Sequence, residues 1–274
     1  MRALPRRTVT ALAIALAVLG LVLVTGVAAA PGGGAGAQLN PCRGPGSSEL
    51  LCPDLLVGPA EDLYVERRGG GGGYGYGRGL LLHGGNDIRS RGRGPIELRG
   101  RRFKRNWMRA NQAIYRVGGG VRIFRTEARL HFVSVGYEYG GSYWKVEDPL
   151  SMEIWSLDER RRPLRRVRKG PKVFYCFRDL ERTKAMRRSP PRRVYPACNQ
   201  DPASKRTRLG TSVGWSDIYP SDYDRQWVNV TGLRGCFAFV MQVDPRNLFY
   251  EENERNNRSV RIIRLPYRDG PQRC

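Results

Sequence analysis

The chain has 274 residues, of which 40% are hydrophobic and 27% are charged, so most of it can bury a core. The 48 Lys and Arg residues outnumber the 25 Asp and Glu residues, and the formal net charge of +23 predicts affinity for anionic partners. The chain has only 2 histidines, which excludes a metal site built from three histidine ligands.

Residues 1–30 have the composition of an export signal. A basic start with three arginines precedes an apolar run from Val9 to Val27, and three alanines follow it. Two outcomes remain open. Cleavage predicts a secreted or extracytoplasmic protein, and retention predicts an N-terminal membrane anchor. Cleavage would remove three arginines and no acid, which lowers the net charge from +23 to +20.

The 6 cysteines are an even number, and in an exported chain an even number favours disulfides. No Cys-x-x-Cys occurs, which argues against a zinc ribbon or a thioredoxin-type site. Six cysteines can pair in many ways. Cys42 and Cys52 are favoured as one pair, because the loop between them is short and rich in Gly, Pro and Ser. The favoured set is Cys42–Cys52, Cys176–Cys198 and Cys236–Cys274.

Composition divides the rest of the chain into a Gly/Pro-rich linker at 31–52, a domain at 53–270 and a short tail at 271–274. Within the domain, short segments of alternating apolar and polar residues recur between Gly, Pro and Asp turns. This spacing predicts a mostly β protein, an antiparallel sandwich or barrel. One short helix is expected at Phe103–Ala113.

Several segments, in consistent order along the domain, resemble the lysyl oxidase catalytic domain. They include a Lys-x-x-x-Cys-x-x-Asp stretch and an Asp-x-Tyr…Gln-Trp-x-x-x-Thr stretch. The resemblance implies an antiparallel β-sandwich-like fold with short helices and long loops. The matching segments are Pro53–Val57, Gly94–Gly100, Lys172–Asp179, Gly214–Tyr219, Gln226–Thr231 and Val243–Asn257.

That family is known as secreted copper amine oxidases, which deaminate lysine side chains with a lysine tyrosylquinone cofactor made from a Lys and a Tyr. The resemblance implies that Lys172 and Tyr219 correspond to this pair and that Asp217 is their neighbour. It also implies that the pair lies together beside residues 141–148. Each residue is equally consistent with an ordinary structural role, so the pair can be vestigial.

The segment that matches the copper-binding region differs from the family. The family's ligands come as His-x-His-x-His, and the matching positions here are Gly141, Tyr143 and Lys145. Imidazole suits Cu(II), whereas an ammonium repels the ion, and a ligand must be deprotonated to bind. The family's quinone forms by copper-dependent oxidation, so we expect neither copper nor quinone. His83 and His131 have no second histidine at ligand spacing and are expected to be ordinary residues.

A lysine in the former copper pocket needs a partner or water, because a lone buried ammonium is costly. Glu147 and Asp148 are the nearest acids in the sequence, and either of them could neutralise Lys145 if its ammonium does not reach water.

The expected function is an exported lysyl-oxidase-like protein without amine oxidase activity, which acts as a basic binding domain at the cell envelope. Its expected partner is an anionic envelope polymer or membrane surface. Nucleic acid is not expected as a partner, because export separates the protein from it and no nucleic-acid-binding motif of aromatic and basic residues occurs. The alternative is an active copper- and quinone-dependent protein-lysine oxidase with unrecognised ligands. The predicted polyanion-binding residues are Arg160, Arg161, Arg162, Arg165, Arg166, Arg168 and Lys169.

Overall fold

A computed structural model describes residues 39–69, 79–134, 141–268, 270 and 273–274. Leu39–Cys274 forms a compact unit, and the predicted export segment lies outside the described residues. Within the described ranges the only helix is a 3-10 turn at Ser47–Glu49. None of the helices found there is long and apolar enough to cross a membrane.

In the same ranges, 16 strands make up the rest of the regular structure, and every strand pair there is antiparallel. The mostly β, antiparallel prediction is therefore confirmed. The strands are β1 Leu50–Leu51, β2 Leu55–Val57, β3 Glu61–Arg68, β4 Gly79–Ser90, β5 Ile96–Lys104, β6 Trp107–Arg116, β7 Val121–Ser134, β8 Ser142–Glu147, β9 Leu150–Leu157, β10 Pro163–Lys169, β11 Phe174–Tyr175, β12 Arg206–Thr211, β13 Ser216–Tyr219, β14 Trp227–Asn229, β15 Gly235–Val243 and β16 Arg258–Leu265.

Three sheets share one hydrophobic core. The largest has the order β11-β8-β7-β6-β5-β12, with β1 added to β6. The second has the order β10-β9-β15-β16, and the third is built around β4, which pairs with β2, β3, β13 and β14. Leu98 of the first sheet, Ile154 of the second and Leu82 of the third are fully buried in the same cluster. Apolar side chains from all three sheets thus face a common interior.

The expected helix at Phe103–Ala113 is wrong. Residues 103–113 instead form the tip of a hairpin, in which β5 ends at Lys104 and β6 begins at Trp107. In β6, Met108 and Ala110 are fully buried whereas Arg109 is exposed. This period of two suits a strand with one face in the core, and it does not suit an amphipathic helix.

Three disulfides stabilise the unit, and they join the same cysteines that the spacing favours: Cys42–Cys52, Cys176–Cys198 and Cys236–Cys274. The part of the predicted linker that the structure describes carries the 3-10 turn, β1 and the first disulfide. Leu50 and Cys52 are buried in a small cluster with Ile114. Glycine and proline content alone therefore does not mark the beginning of the compact unit.

Candidate functional site

A cavity of about 280 Å³ lies where β8 and β13 meet the loops that follow β11 and β13. Its wall combines two cations, three phenols and the second disulfide. The lining residues are Tyr143, Lys145, Cys176, Arg178, Cys198, Ile218, Tyr219, Pro220 and Tyr223.

Strand β13 places the two family-matched residues, Asp217 and Tyr219, on the same side of the strand. Tyr219 is 5% exposed, its ring stacks on Tyr175 at 3.7 Å, and its hydroxyl accepts the Cys176 N–H at 2.8 Å. Burial raises the pKa of Tyr219 well above its usual value, and the Asp217 carboxylate adds to this. The phenol is therefore neutral and fixed in place.

Asp217 is fully buried, and its pKa is raised to about 7, chiefly by burial. The Arg178 guanidinium and the Lys145 ammonium act in the opposite direction and favour the carboxylate. The group therefore changes charge near neutral pH.

Lys145 is 1% exposed and extends from β8 into the same cavity. Its ammonium donates to the Tyr223 hydroxyl and lies 4.7 Å from the centre of that ring. Burial lowers the pKa of Lys145 to about 8, although the carboxylates of Asp217 and Asp224 favour the charged form. These two acids, far away in sequence, are the ones that act on the lysine.

The expected neutralisation of Lys145 by Glu147 or Asp148 is therefore not what the structure contains. Glu147 instead pairs with Lys172, at 3.2 Å between Nζ and Oε1. In a strand, residues 145 and 147 share a face, but the ammonium of Lys145 reaches sideways to the loop after β13. A long side chain can thus contact a residue far away in the sequence instead of one close to it in the sequence.

Lys172 lies on the rim of this region and outside the cavity lining. Its side chain is 59% exposed, whereas Tyr219 is buried. The backbone carbonyl of Lys172 accepts a hydrogen bond from Arg225. The proximity of Lys172 and Tyr219 that the resemblance implies stays a prediction, and the structure shows the lysine engaged with Glu147.

The residues at the copper-matched positions do not fit a copper ion. Gly141 has no side chain, Tyr143 offers a phenol, and Lys145 brings a cation. The two histidines lie on different sheets. His83 on β4 approaches Glu66 at 3.2 Å, and His131 on β7 stacks on a tryptophan at 4.1 Å. Burial lowers the pKa of both imidazoles.

A buried acidic cluster lies elsewhere, where the segment after β15 meets the beginning of β2. Among the described residues, Asp244, Glu251 and Glu254 form the one group of acids, histidines and cysteines that could hold a metal, with ligand atoms within 4.8 Å of one another. The oxygens of Asp244 accept the N–H groups of Leu248 and Phe249, both at 2.8 Å. The cluster offers no imidazole or thiolate, and its hydrogen bonds tie loops together.

The outer face of the largest sheet carries arginines in register across four strands. One row runs Arg206–Arg101–Arg109–Arg129 over β12, β5, β6 and β7, each residue directly opposite the next. A second row runs Arg208–Arg99–Asn111–Arg125 over the same strands. We call the seven arginines of these rows the arginine face.

Only two of these arginines are neutralised by a described acid. Buried Glu97 pairs with Arg99 at 2.8 Å and with Arg208 at 3.7 Å. The other five make no ion pair within the part of the chain that the structure describes: Arg101, Arg109, Arg125, Arg129 and Arg206. A groove of about 620 Å³ runs along this face, and Glu127 is the acid that lines it.

The basic residues predicted from the sequence lie at the turn before β10 and along β10, an edge strand of the second sheet. Arg162 pairs with Asp158 at 2.9 Å, and Arg166 pairs with Glu153 at 2.7 Å. Acids therefore neutralise part of this cluster. Their role in polyanion binding stays a prediction.

Sequence reasoning missed Arg178 and Tyr223 on the cavity wall, Asp224, whose carboxylate acts on Lys145, and all seven arginines of the outer face. Some of the arginines had a signal, because Arg99 and Arg101, like Arg206 and Arg208, are separated by a single residue and so share one face of a strand. The cavity residues had no local signal, since the fold brings them to Lys145 from elsewhere in the chain.

Part of the chain matches a known protein family. Residues 150–270 match the family model described as lysyl oxidase. The matched range contains Lys172, Asp217 and Tyr219, and it begins after Lys145. No curated protein matches the chain at a significant level.

Proposed function

The chain belongs to the lysyl oxidase family, and on that premise we propose an exported, basic binding domain that keeps the family scaffold without copper amine oxidase activity. Its ligand is a linear anionic polymer of the cell envelope that carries closely spaced phosphate or carboxylate groups. Three disulfides support a location outside the reducing cytoplasm.

The arginine face is the observation that carries this proposal. Like charges directly opposite each other on neighbouring strands destabilise a sheet. Here four arginines stand in one uninterrupted row, for example Arg101 opposite Arg109 and Arg109 opposite Arg129. An anionic ligand turns this repulsion into attraction, and each guanidinium can bind a phosphate or carboxylate through two N–H groups.

The spacing of the face suits a linear polymer. Neighbouring strands are about 5 Å apart, and residues two apart on one strand are separated by about 7 Å. The two rows therefore offer cations at intervals comparable to those of charges along an extended polyanion. Such a polymer could lie in the groove over these strands, which Phe103 and Asn111 line together with the arginines.

The absence of oxidase activity is supported by Lys145. An ammonium in the cavity that Tyr219 lines repels a cupric ion, and its neighbours at the other matched positions provide no imidazole. Tyr219 is also held as a neutral phenol, its hydroxyl engaged with a backbone N–H.

Two variants with equal loss of charge test the binding surface. The first is Arg101→Gln/Arg109→Gln/Arg129→Gln on the arginine face, and the matched control is Arg160→Gln/Arg161→Gln/Arg165→Gln at β10. Binding to linear polyphosphate and to alginate is measured by fluorescence anisotropy over a range of salt concentrations. At roughly 1 kcal/mol for each arginine, the first variant should bind about a hundredfold more weakly. Its salt slope should fall by about 2 to 3.

The outcomes separate the candidate surfaces. Equal losses in both variants would mean that net charge alone drives binding, and a loss confined to the β10 variant would assign the site to the predicted basic cluster. Either result contradicts the arginine face as the site. Binding only to phosphatidylglycerol vesicles, with none to either polymer, would replace the polymer with a membrane surface.

A working amine oxidase is the second candidate, because the family match includes Lys172, Asp217 and Tyr219. The chain expressed with excess Cu(II) is digested and searched for a peptide that joins Lys172 to Tyr219. We expect none, no quinone stain and no peroxide release from a lysine-rich substrate. A joined peptide together with peroxide release would establish the oxidase and overturn the non-catalytic proposal.

A further inference from the structure

Two basic groups line the cavity beside Tyr219: the amine of Lys145 and the guanidinium of Arg178. We propose that this cavity is a carbonyl-binding site, in which the Lys145 amine condenses with the carbonyl group of a small 2-oxo acid while Arg178 binds the carboxylate. This inference does not depend on polymer binding, since the cavity and the arginine face involve different residues.

The size and lining of the cavity define the ligand. A volume of about 280 Å³ accommodates a molecule of a few heavy atoms such as glyoxylate or pyruvate. Tyr219, Pro220 and Ile218 provide apolar and aromatic wall, and the polar contributions come from Lys145, Arg178 and two further phenols. One amine and one guanidinium in the same small space match the two functional groups of a 2-oxo acid.

Arg178 is available for a carboxylate. Its side chain is half-buried on the cavity wall, and within the described ranges its guanidinium forms no ion pair. It is close enough to Asp217 and Lys145 to shift the pKa of both. A guanidinium binds a carboxylate through two parallel hydrogen bonds, which orients the adjacent carbonyl carbon.

Lys145 is the amine that the fold prepares for this reaction. Burial is the main cause of its lowered pKa of about 8, Arg178 lowers it further, and the carboxylates of Asp217 and Asp224 oppose them. The phenols of Tyr143 and Tyr223 face the same amine, at 5.5 and 4.7 Å from Nζ to the ring centres. Desolvation beside a second cation is a known way to supply a neutral, nucleophilic lysine.

The condensation balances without an oxidant or a metal. The neutral Nζ adds to the carbonyl carbon, and the resulting carbinolamine loses its oxygen as water to give an imine. Counted from the ammonium, RNH₃⁺ and the oxo acid give the protonated imine and one water, with the charge conserved. We assign to Asp217, whose carboxylate acts on the Lys145 ammonium and whose pKa is raised to about 7, the role of accepting and returning the proton that the addition moves.

The other lysines provide an internal control within the unmodified protein. Lys172 has a 59% exposed side chain and an ion pair with Glu147. Its amine is more accessible than that of Lys145, so simple exposure predicts faster labelling of Lys172. A built carbonyl site predicts the reverse order.

The first experiment treats the full, disulfide-bonded chain with glyoxylate and cyanoborohydride at neutral pH and maps carboxymethylated lysines by mass spectrometry. A pKa of about 8 gives Lys145 a far larger neutral fraction than an ordinary lysine, so we expect its labelling to be roughly tenfold or more faster than that of Lys172. Labelling of Lys145 no faster than that of Lys172 would overturn the proposal, and it requires no variant to fold.

The second experiment separates carboxylate recognition from amine reactivity. Arg178→Gln raises the pKa of Lys145 and so slows labelling by any aldehyde, but it should slow labelling by glyoxylate about tenfold more than labelling by formaldehyde, which has no carboxylate. An equal slowing with both aldehydes would mean that Arg178 only supports the cavity, and no slowing with either would remove it from the site. The 2-oxo acid assignment fails in both cases, whereas the polymer-binding result is unaffected.

Discussion

At the scale of single residues, Lys145 and Asp217 dominate the candidate site as opposite charges that act on each other's pKa without a hydrogen bond between them. Both are almost completely buried, and burial shifts the pKa of each toward its neutral form. Such a pair contributes little net stability, but removing one partner leaves an uncompensated charge in the interior. The pair is therefore more informative about function than about folding.

A stability measurement tests this interpretation. Asp217→Asn removes the carboxylate that favours the Lys145 ammonium, and it also removes the cost of burying that carboxylate, so the coupling between the two groups is the informative quantity. In a double-mutant cycle with Lys145→Met, we expect the two single variants together to be about 1–3 kcal/mol more destabilising than the double variant. Urea unfolding at pH 7 measures the three variants. Single-variant effects that simply add up to the effect of the double variant would contradict the coupling.

The pH dependence of the single variant has a defined sign. The folded-state pKa of Lys145 lies below its unfolded value, so the penalty for the buried ammonium is present at low pH and declines as pH rises through about 8. The free energy of unfolding of Asp217→Asn should therefore rise between about pH 7 and pH 10. A fall over this interval would mean that Lys145 is not a buried amine with a lowered pKa.

Family-like segments mark Tyr219, Asp217 and Lys145 in the sequence, and their functional roles stay predictions. The partners of Lys145 could not be predicted from the sequence. Tyr223 and Asp224 approach it from the loop after β13, far away in sequence, and only the fold determines that contact. Of the two acids nearest to Lys145 in the sequence, Glu147 forms an ion pair with Lys172 instead, and Asp148 forms no ion pair with Lys145.

At the scale of elements, the alternation of apolar and polar side chains predicts the strands well. The hairpin of β5 and β6 is the exception, because the arginines on its outer face obscure the alternation in the sequence. Seen as a helix, Phe103–Ala113 has scattered polar residues. Seen as a hairpin, it has Met108 and Ala110 inside and Arg109 outside, in register with Arg101. The polar positions are a continuous surface only after the strands have paired.

The arginine face should reduce the stability of the sheet that carries it. Arg109 stands between Arg101 and Arg129, so Arg109→Thr removes two like-charge pairs and introduces a residue with high strand propensity. We expect a gain of about 1 kcal/mol in the free energy of unfolding at low salt, measured by urea denaturation. The gain should decline at 1 M salt, where the Debye length is about 3 Å. A loss of stability at low salt would contradict the repulsion.

At the scale of the whole molecule, composition and spacing predict the fold class, the antiparallel pairing and the three disulfides. They do not predict that β4 pairs with four different strands or that β12 joins β5 across a hundred residues. Such pairings join segments far apart in the sequence, and the sequence of one strand does not specify which strand will pair with it. The beginning of the compact unit at Leu39 was missed for a similar reason, because contacts of Leu50 and Cys52 with a distant strand order that segment.

The whole molecule should be more stable in mild acid than at alkaline pH, despite its basic composition. Burial raises the pKa of Asp217 and of Asp244 to about 7 and that of Glu251 well above its usual value. A carboxyl with a raised folded-state pKa binds more protons folded than unfolded, so its contribution is present below about pH 4 and is lost as pH rises through about 7. We expect the free energy of unfolding to fall by a few kcal/mol between about pH 5 and pH 8, although the lowered pKa values of His83 and His131 oppose this. Denaturant titrations in a chelating buffer measure the change, since a bound cation would hold the acidic cluster ionised. Asp244→Asn should flatten the curve, and a wild-type stability that rises over this interval would show that these acids are ionised in the native protein and compensated by the surrounding arginines.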